Sequence, residues 1–346
     1  MLSGALYALL MDEIAKQIQN QNIGITLDHT NQKIGCLLWI NDVALFHHDP
    51  TKLQKMLNIT EQIATKYRIE FGEPKSTILI MGKTNKLNTS PKFTLGPLEI
   101  KQTDTYQYLG ETLNTKANLT NHINNTKAKA EGALQTILTV AGDPLLRGIQ
   151  MQTVWKLLDT CITPIITYAS ETWDLNKKET KQTNQIMDNI IKRILMIPTT
   201  TPREALYQEL KILDMEHTMH KTKINMFKRL EKTRNSLIDN ILKIENKSCW
   251  NNKTKNLIEH YNIDITKDKQ SFKNDVIDKI NKKFTEQLKK STNTKTKINF
   301  LITNCTNENQ KIRPAYLNKL NRKQCSTIFK ARTRMLQVKT NFKTQT

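Results

Sequence analysis

Apolar residues along this chain keep two different spacings, and the switch between them divides it. Leu6, Leu9, Leu10, Ile14 and Ile18 recur every three or four positions, which predicts a helix from Leu2 to Ile18. The spacing then tightens. Ile34-Gly-Cys-Leu-Leu-Trp39 and Val43-Ala-Leu-Phe46 are short apolar runs around Ile40-Asn41-Asp42, and they predict buried strands joined by a tight turn, because Asn and Asp tolerate turn backbone. Asp49-Pro50 supplies an N-cap and a first-turn proline for a helix with the stripe Leu53, Met56, Leu57, Thr60, Ile63 and Ala64. Thr77-Ile-Leu-Ile-Met81 and Tyr106-Gln-Tyr-Leu109 read as further strands, the second ending at Gly110.

Beyond Gly110 the helical spacing takes over. Leu134, Ile137 and Leu138 mark one helix, broken at Gly142-Asp-Pro144, and Val154, Leu158 and Ile162 mark the next, ending near Pro164. Ile186, Ile190 and Ile194, flanked by Met187, Ile191 and Leu195, form the clearest apolar face. Thr201-Pro-Arg-Glu204 matches a capping box with proline at the first helical position. Phe272, Val276, Ile280, Phe284 and Leu288 step by four among lysines, giving an amphipathic helix with a cationic back. Residues 291–297 read as a flexible linker, and no internal repeat stands out. The expected fold class is α+β, with an antiparallel sheet and helices over 1–115, a mostly α-helical region over 116–235 and a basic helical region over 236–346.

Charge adds a partner class to this outline. Lys and Arg number 53 against 32 Asp and Glu, a formal charge of +21. Residues 236–346 hold 24 basic and 9 acidic side chains, so most of the excess lies in the last third. Such a surplus suits a polyanion, most simply nucleic acid, whose condensed counterions are released when Lys and Arg neutralise phosphates. No apolar run approaches the roughly 18 residues of a membrane helix, and the first residues lack a signal-peptide layout. The five cysteines, Cys36, Cys161, Cys249, Cys305 and Cys325, are scattered and contain no C-x-x-C spacing. Neither a disulfide framework nor a thiolate zinc site follows, and the expected setting is reduced and intracellular, nuclear or cytoplasmic, without a membrane. His217-Thr-Met-His220 has i, i+3 spacing on a helix but no third metal ligand in view.

The chemistry-bearing stretch is Leu37-Leu-Trp-Ile-Asn-Asp-Val-Ala-Leu-Phe46, where an amide and a carboxylate stand at the tip of an apolar hairpin. By spacing alone it is equally an Asn-Asp turn with no task. The stretch resembles the catalytic hairpin of reverse transcriptases, aromatic-Ala-Asp-Asp between apolar runs. Trp39 takes the aromatic place, Ile40 the Ala, Asn41 the first Asp and Asp42 the second. The neighbours follow in the family's order. Residues 1–14 resemble the helix on the template side, and Phe71-Gly-Glu-Pro-Lys-Ser76 resembles the loop carrying a functional Lys. Tyr106-Gln-Tyr-Leu-Gly110 resembles the primer-grip turn of retrotransposons that lack long terminal repeats (non-LTR, LINE-type). Thr167-Tyr-Ala-Ser-Glu-Thr-Trp173 and Leu195-Met-Ile-Pro-Thr-Thr-Thr-Pro202 are similar to the thumb of those elements, and Pro314 to Phe342 to the segment before their Cys/His knuckle.

This resemblance implies a partial palm, a helical thumb and a basic helical C-terminal region. It also implies RNA-directed DNA polymerase chemistry, a phosphoryl transfer assisted by two Mg²⁺ ions. RNA template, DNA primer and deoxynucleotides are the implied partners. Asn41, Asp42 and Lys75 fall at catalytic positions, Asp42 at a metal-ligand position, and Tyr106, Tyr108, Leu109 and Gly110 at nucleic-acid-binding positions. Lys75 would neutralise or protonate the departing pyrophosphate. Two departures point to impaired catalysis. Asn41 offers a neutral amide where Mg²⁺ favours a charged oxygen, and the family's earlier metal-binding strand falls ahead of Met1, with Asp12 on a helix and Asp28 in a polar loop. The expectation is a fragment of a polymerase, weak in Mg²⁺ binding and inactive alone. The alternative is a noncatalytic basic nucleic-acid-binding protein.

Overall fold

The computed structural model of the chain describes residues 2–27, 32–82, 91–140, 149–233, 235–244, 250–293, 313–333 and 335. Asp28, the break at Gly142-Asp-Pro144, Cys249, Cys305, residues 294–297 of the expected linker, and Arg334 and residues 336–342 of the last motif lie outside them. The architecture is α+β, dominated by helices, with small sheets that are antiparallel apart from one parallel pairing. Two units form. Residues 1–118 and 233–246 make the first, and residues 119–232 and 247–346 the second. No described helix is long and apolar enough to cross a membrane.

In the first unit, helix α1 (Leu2–Asn20) leads through short strands β1 (Ile25–Thr26) and β2 (Lys33–Ile34) to a hairpin, β3 (Cys36–Trp39) and β4 (Asp42–Leu45). Helix α2 (Pro50–Tyr67) follows, opened by Asp49, whose side chain accepts from the Thr51 N–H. Its expected stripe is buried at Met56, Leu57, Thr60, Ile63 and Ala64, with Ile59 added. The buried face of α1 is Met11, Ile14 and Ile18, with Tyr7 packed alongside. Leu9, placed on that face by its spacing, is 70% exposed instead, because the face that meets α2 and the hairpin runs through 7, 11, 14 and 18. Cys36, Leu38, Val43 and Leu45 of the hairpin pack on the same core. Gly35 allows this closeness: a Cβ there would lie 2.7 Å from the Ile23 carbonyl oxygen and 2.8 Å from an Ile18 methyl.

The rest of the first unit contains β5 (Thr77–Ile78), β6 (Phe93–Leu95), β7 (Leu98–Gln102), β8 (Thr105–Tyr108) and β9 (Glu111–Asn114). The predicted strand over 77–81 shrinks to two residues that pair parallel with β7. The β6–β7 hairpin escapes the sequence reading, since its apolar positions Phe93, Leu95 and Ile100 are few and interrupted by charge. Together with Leu57 they form a second small core.

The second unit begins with α3 (Thr120–Val140), α4 (Met151–Leu157) and α5 (Thr163–Thr167), then α6 (Lys177–Leu195), α7 (Arg203–Leu210) and α8 (Met215–Glu231). Helix α9 (Ser236–Leu242) belongs to the first unit, and α10 (Trp250–His260) and α11 (Lys269–Asn293) return to the second. The helix through Val154 does not end near Pro164. A wide π turn at Leu158–Ile162 intervenes, helical backbone continues on both sides of it, and Pro164, which has no N–H to give the ladder, falls where the π turn passes into α5. Thr201 is not a cap either. Pro202 holds the N-cap position of α7 without a side-chain bond, while the buried Thr201 hydroxyl contacts the Met335 sulfur.

Packing groups the chain differently from the three-way sequence division. Phe284, Leu288, Leu317, Cys325 and Phe329 lie in one core with Leu134, Trp155, Ile190 and Leu206, so residues on both sides of position 235 share it. Polar contacts repeat the linkage. The Trp155 indole donates to the Leu317 carbonyl at 2.7 Å, and Arg322 donates to the Arg193 and Ile194 carbonyls at the end of α6, where a cation also meets the negative pole of the helix.

Candidate functional site

The hairpin that carries Asn41 and Asp42 forms as a two-residue turn. Trp39 pairs with Asp42, so Ile40 and Asn41 alone make the bend and Asp42 is the first residue of β4. This corrects the three-residue turn of the sequence reading. Ile40 has φ +54°, a left-handed conformation that a β-branched residue rarely takes. Such strain persists where the surrounding structure enforces it, and it occurs often at functional sites.

The strands are not buried as predicted. Leu37 and Trp39 are 48% and 59% exposed and Ile40 is 51% exposed, while Cys36 and Leu38 face the core. Alternation decides this: one face of a two-stranded ribbon meets α1 and α2, and the other meets no described core. Asn41 and Asp42 are both exposed at the tip.

Two further segments singled out by sequence converge on this unit. Lys75 ends a 3₁₀ turn at Glu73–Lys75, with its side chain exposed. Tyr106 and Tyr108 lie on β8, and Leu109 and Gly110, at φ +46° and +84°, form its turn into β9. The positive φ accounts for glycine at position 110 through turn geometry. The Tyr106 hydroxyl donates to the Lys75 carbonyl at 3.2 Å. Tyr108 comes under the influence of Asp42: burial first, and then the Asp42 charge, push its phenol above the ordinary range.

Asp42 is an exposed carboxylate beside a neutral amide. Among the described residues no group of three His, Cys, Asp or Glu donors includes it. The one such group, Asp214, Glu216 and His217, belongs to the second unit and is already engaged. Asp214 accepts from the His217 ring at 2.6 Å and from the Arg203 guanidinium at 2.5 Å.

That engagement is part of a buried network which the sequence reading missed. Asp214 also caps α8 by accepting from the His217 N–H. Arg203 reaches Asp188 as well, at 3.3 Å, and the Tyr207 hydroxyl donates to Asp188 at 2.6 Å. Burial acts to raise the Asp214 carboxyl, yet the His217 hydrogen bond and charge and the Arg203 guanidinium hold it below the ordinary carboxylate range. For Asp188 burial prevails and raises it, against Tyr207 and Arg203. His220, the other half of the i, i+3 pair, bonds to the Tyr261 hydroxyl at 2.8 Å, and burial lowers it to about 4. The pair is therefore held by packing. Asp188 on an otherwise isoleucine-rich face was the sequence signal that could have revealed the network.

Comparison with known proteins gives one coarse link. No protein-family model matches the chain. The chain is 24% identical over 172 residues to a putative uncharacterized transposon-derived protein of Caenorhabditis elegans, a match covering 49% of this chain and 59% of that protein. The chain thus spans about 59% of the length of the curated relative it matches, and the similarity points to a transposon origin.

Proposed function

We propose that this chain derives from the reverse transcriptase of a non-LTR retrotransposon and acts as a nucleic-acid-binding protein without polymerase activity of its own. RNA template and DNA primer are its partners in this reading, and deoxynucleotides and Mg²⁺ are the ligands of the ancestral reaction. The carrying observation is the grouping of four segments in one unit. The Asn41-Asp42 tip, the Lys75 turn and the Tyr106–Tyr108 strand are linked by the Tyr106–Lys75 hydrogen bond and the Asp42–Tyr108 charge influence, with α1 behind the hairpin. The transposon-derived relative supports the same origin. Loss of catalysis follows from Asn41, because its neutral amide oxygen holds a hard cation more weakly than the charged carboxylate it replaces.

The test has two arms. Purified chain, RNA template, annealed DNA primer, deoxynucleotides and Mg²⁺ should give primer extension no greater than a no-protein control. Filter binding of the same template–primer should weaken by orders of magnitude between about 50 and 200 mM salt, as phosphate neutralisation requires. A Mg²⁺-dependent extension product would overturn the loss of catalysis, and binding that is absent or flat across that salt range would overturn the nucleic-acid role.

A further inference from the structure

A cleft of about 740 Å³ opens in the second unit between the start of α6, residues 170–175, α8 and α10. Lys223 of α8 lines it, is 6% exposed, and donates to the Trp173 carbonyl at 2.8 Å. An ammonium has three donors, and buried charges are normally paired. Here the sole hydrogen bond among the described residues goes to a neutral carbonyl, the ammonium stands 5.9 Å from the centre of the Trp250 ring, and no described carboxylate lies within ion-pair distance. Asp174, whose charge does act on Lys223, is itself taken by Lys253.

The same end of the cleft holds Lys177 and Lys181, one helical turn apart on α6. Neither has a partner among the described residues. Lys177 sits in the first turn of α6, whose N-terminal N–H groups are already capped by Asn176 and Glu179, so its ammonium is not needed there. The opposite end of the cleft is balanced, with Asp188 against Arg203, and with Glu216, whose N–H is held by Asn184. Positive charge is therefore concentrated around Trp173.

We propose that Lys177, Lys181 and Lys223, lining the cleft beside Trp173, form a binding site for a phosphate group of nucleic acid. This rests on the nucleic-acid reading above and gives it a location. Lysine suits the task, since ammonium groups meet tetrahedral phosphate as movable point charges, each supplying up to three donors.

The experiment uses the full chain and a fluorescein-labelled 12-nucleotide oligouridylate, with anisotropy read over a series of salt concentrations. Replacing both rim lysines, Lys177→Gln with Lys181→Gln, should weaken binding roughly 5-fold at 0.1 M salt and lower the logarithmic salt slope by about 0.7, as the loss of one single-strand phosphate contact requires. Lys52→Gln with Lys55→Gln removes equal charge from exposed positions on α2 in the first unit and should change neither value. Equal affinity and slope for the rim variant and the wild-type chain would overturn the site while leaving nucleic-acid binding intact. Should the wild-type chain fail to bind the oligonucleotide, the broader reading falls. Uridine 5′-monophosphate then decides the cleft: tryptophan-fluorescence binding that is lost in the rim variant supports a phosphate site filled by free nucleotide, and no binding removes it. Lys223→Met should weaken whichever binding the wild type shows by a similar factor, and the exposed rim pair keeps the test valid if that buried change unfolds the unit.

Discussion

The Tyr106 hydroxyl donates a hydrogen bond to the backbone carbonyl of Lys75 across 31 residues of sequence, at 3.2 Å. The two residues belong to different motifs of the same sequence resemblance, and this bond ties their segments together. It is exposed, so its net worth is that of an ordinary hydrogen bond. Tyr106→Phe should lower the stability of the first unit by about 0.5–1 kcal/mol in urea denaturation and speed amide exchange at Lys75 and Ser76. Unchanged exchange there would mean that the turn holds itself through its own Gly72 contacts.

Ile40 occupies left-handed backbone that costs an L-residue roughly 1–2 kcal/mol. Its side chain is half exposed, so little burial is lost on replacement. Asn accepts this conformation, and Ile40→Asn should stabilise the first unit by about 1 kcal/mol. A destabilised variant would show that the Ile40 side chain contributes packing which outweighs the strain.

Asn41→Asp places two carboxylates at the hairpin tip. Mg²⁺ affinity, followed by calorimetry, should rise above that of the wild-type chain, because a second charged oxygen ligand joins the first. Primer extension should stay at background. Robust extension by this variant would show that the described residues hold a complete catalytic centre, contrary to the isolation of Asp42.

The buried network gives the second unit a pH signature. Asp214 has a depressed folded-state pKa, so its stabilisation is present above the ordinary carboxylate pKa and is lost as pH falls through the folded value. Asp188 is raised and acts with the opposite sign. Asp214→Asn leaves Arg203 without one of its partners and should cost about 3 kcal/mol at neutral pH. The stability gap between wild type and variant should be constant above about pH 5 and close below about pH 4. A gap independent of pH would show that shape, and not charge, is what Asp214 contributes.

Phe329 is completely buried in a core shared with helices far upstream. Phe329→Ala should destabilise the second unit by about 3–5 kcal/mol. Thermal unfolding followed at Trp155 and at a probe on α11 should shift together. Separate transitions would restore an independent C-terminal region.

Local signals fixed several elements in advance. Asp49-Pro50 starts α2, the isoleucine ladder buries α6, and the four-residue step from Phe272 to Leu288 buries α11. In each case capping chemistry or helical periodicity acts within one element, and nothing distant competes with it. The hairpin at positions 36–45 was legible for the same reason, with its apolar runs set in antiparallel register. Its exposure was not legible, because both faces of β3 are apolar and only the position of α1 and α2 decides which is covered.

The sequence by itself therefore determined where helices and the central hairpin form and which residue types stand at the hairpin tip, since these depend on neighbours a few positions away. Tertiary structure alone decided that residues on either side of position 235 share a core. It also decided that Arg203 serves two aspartates, and that Lys223 is buried with a single hydrogen bond at the edge of a cleft. Those outcomes depend on which distant surfaces meet, and burial and charge pairing are properties of the meeting, not of the residues.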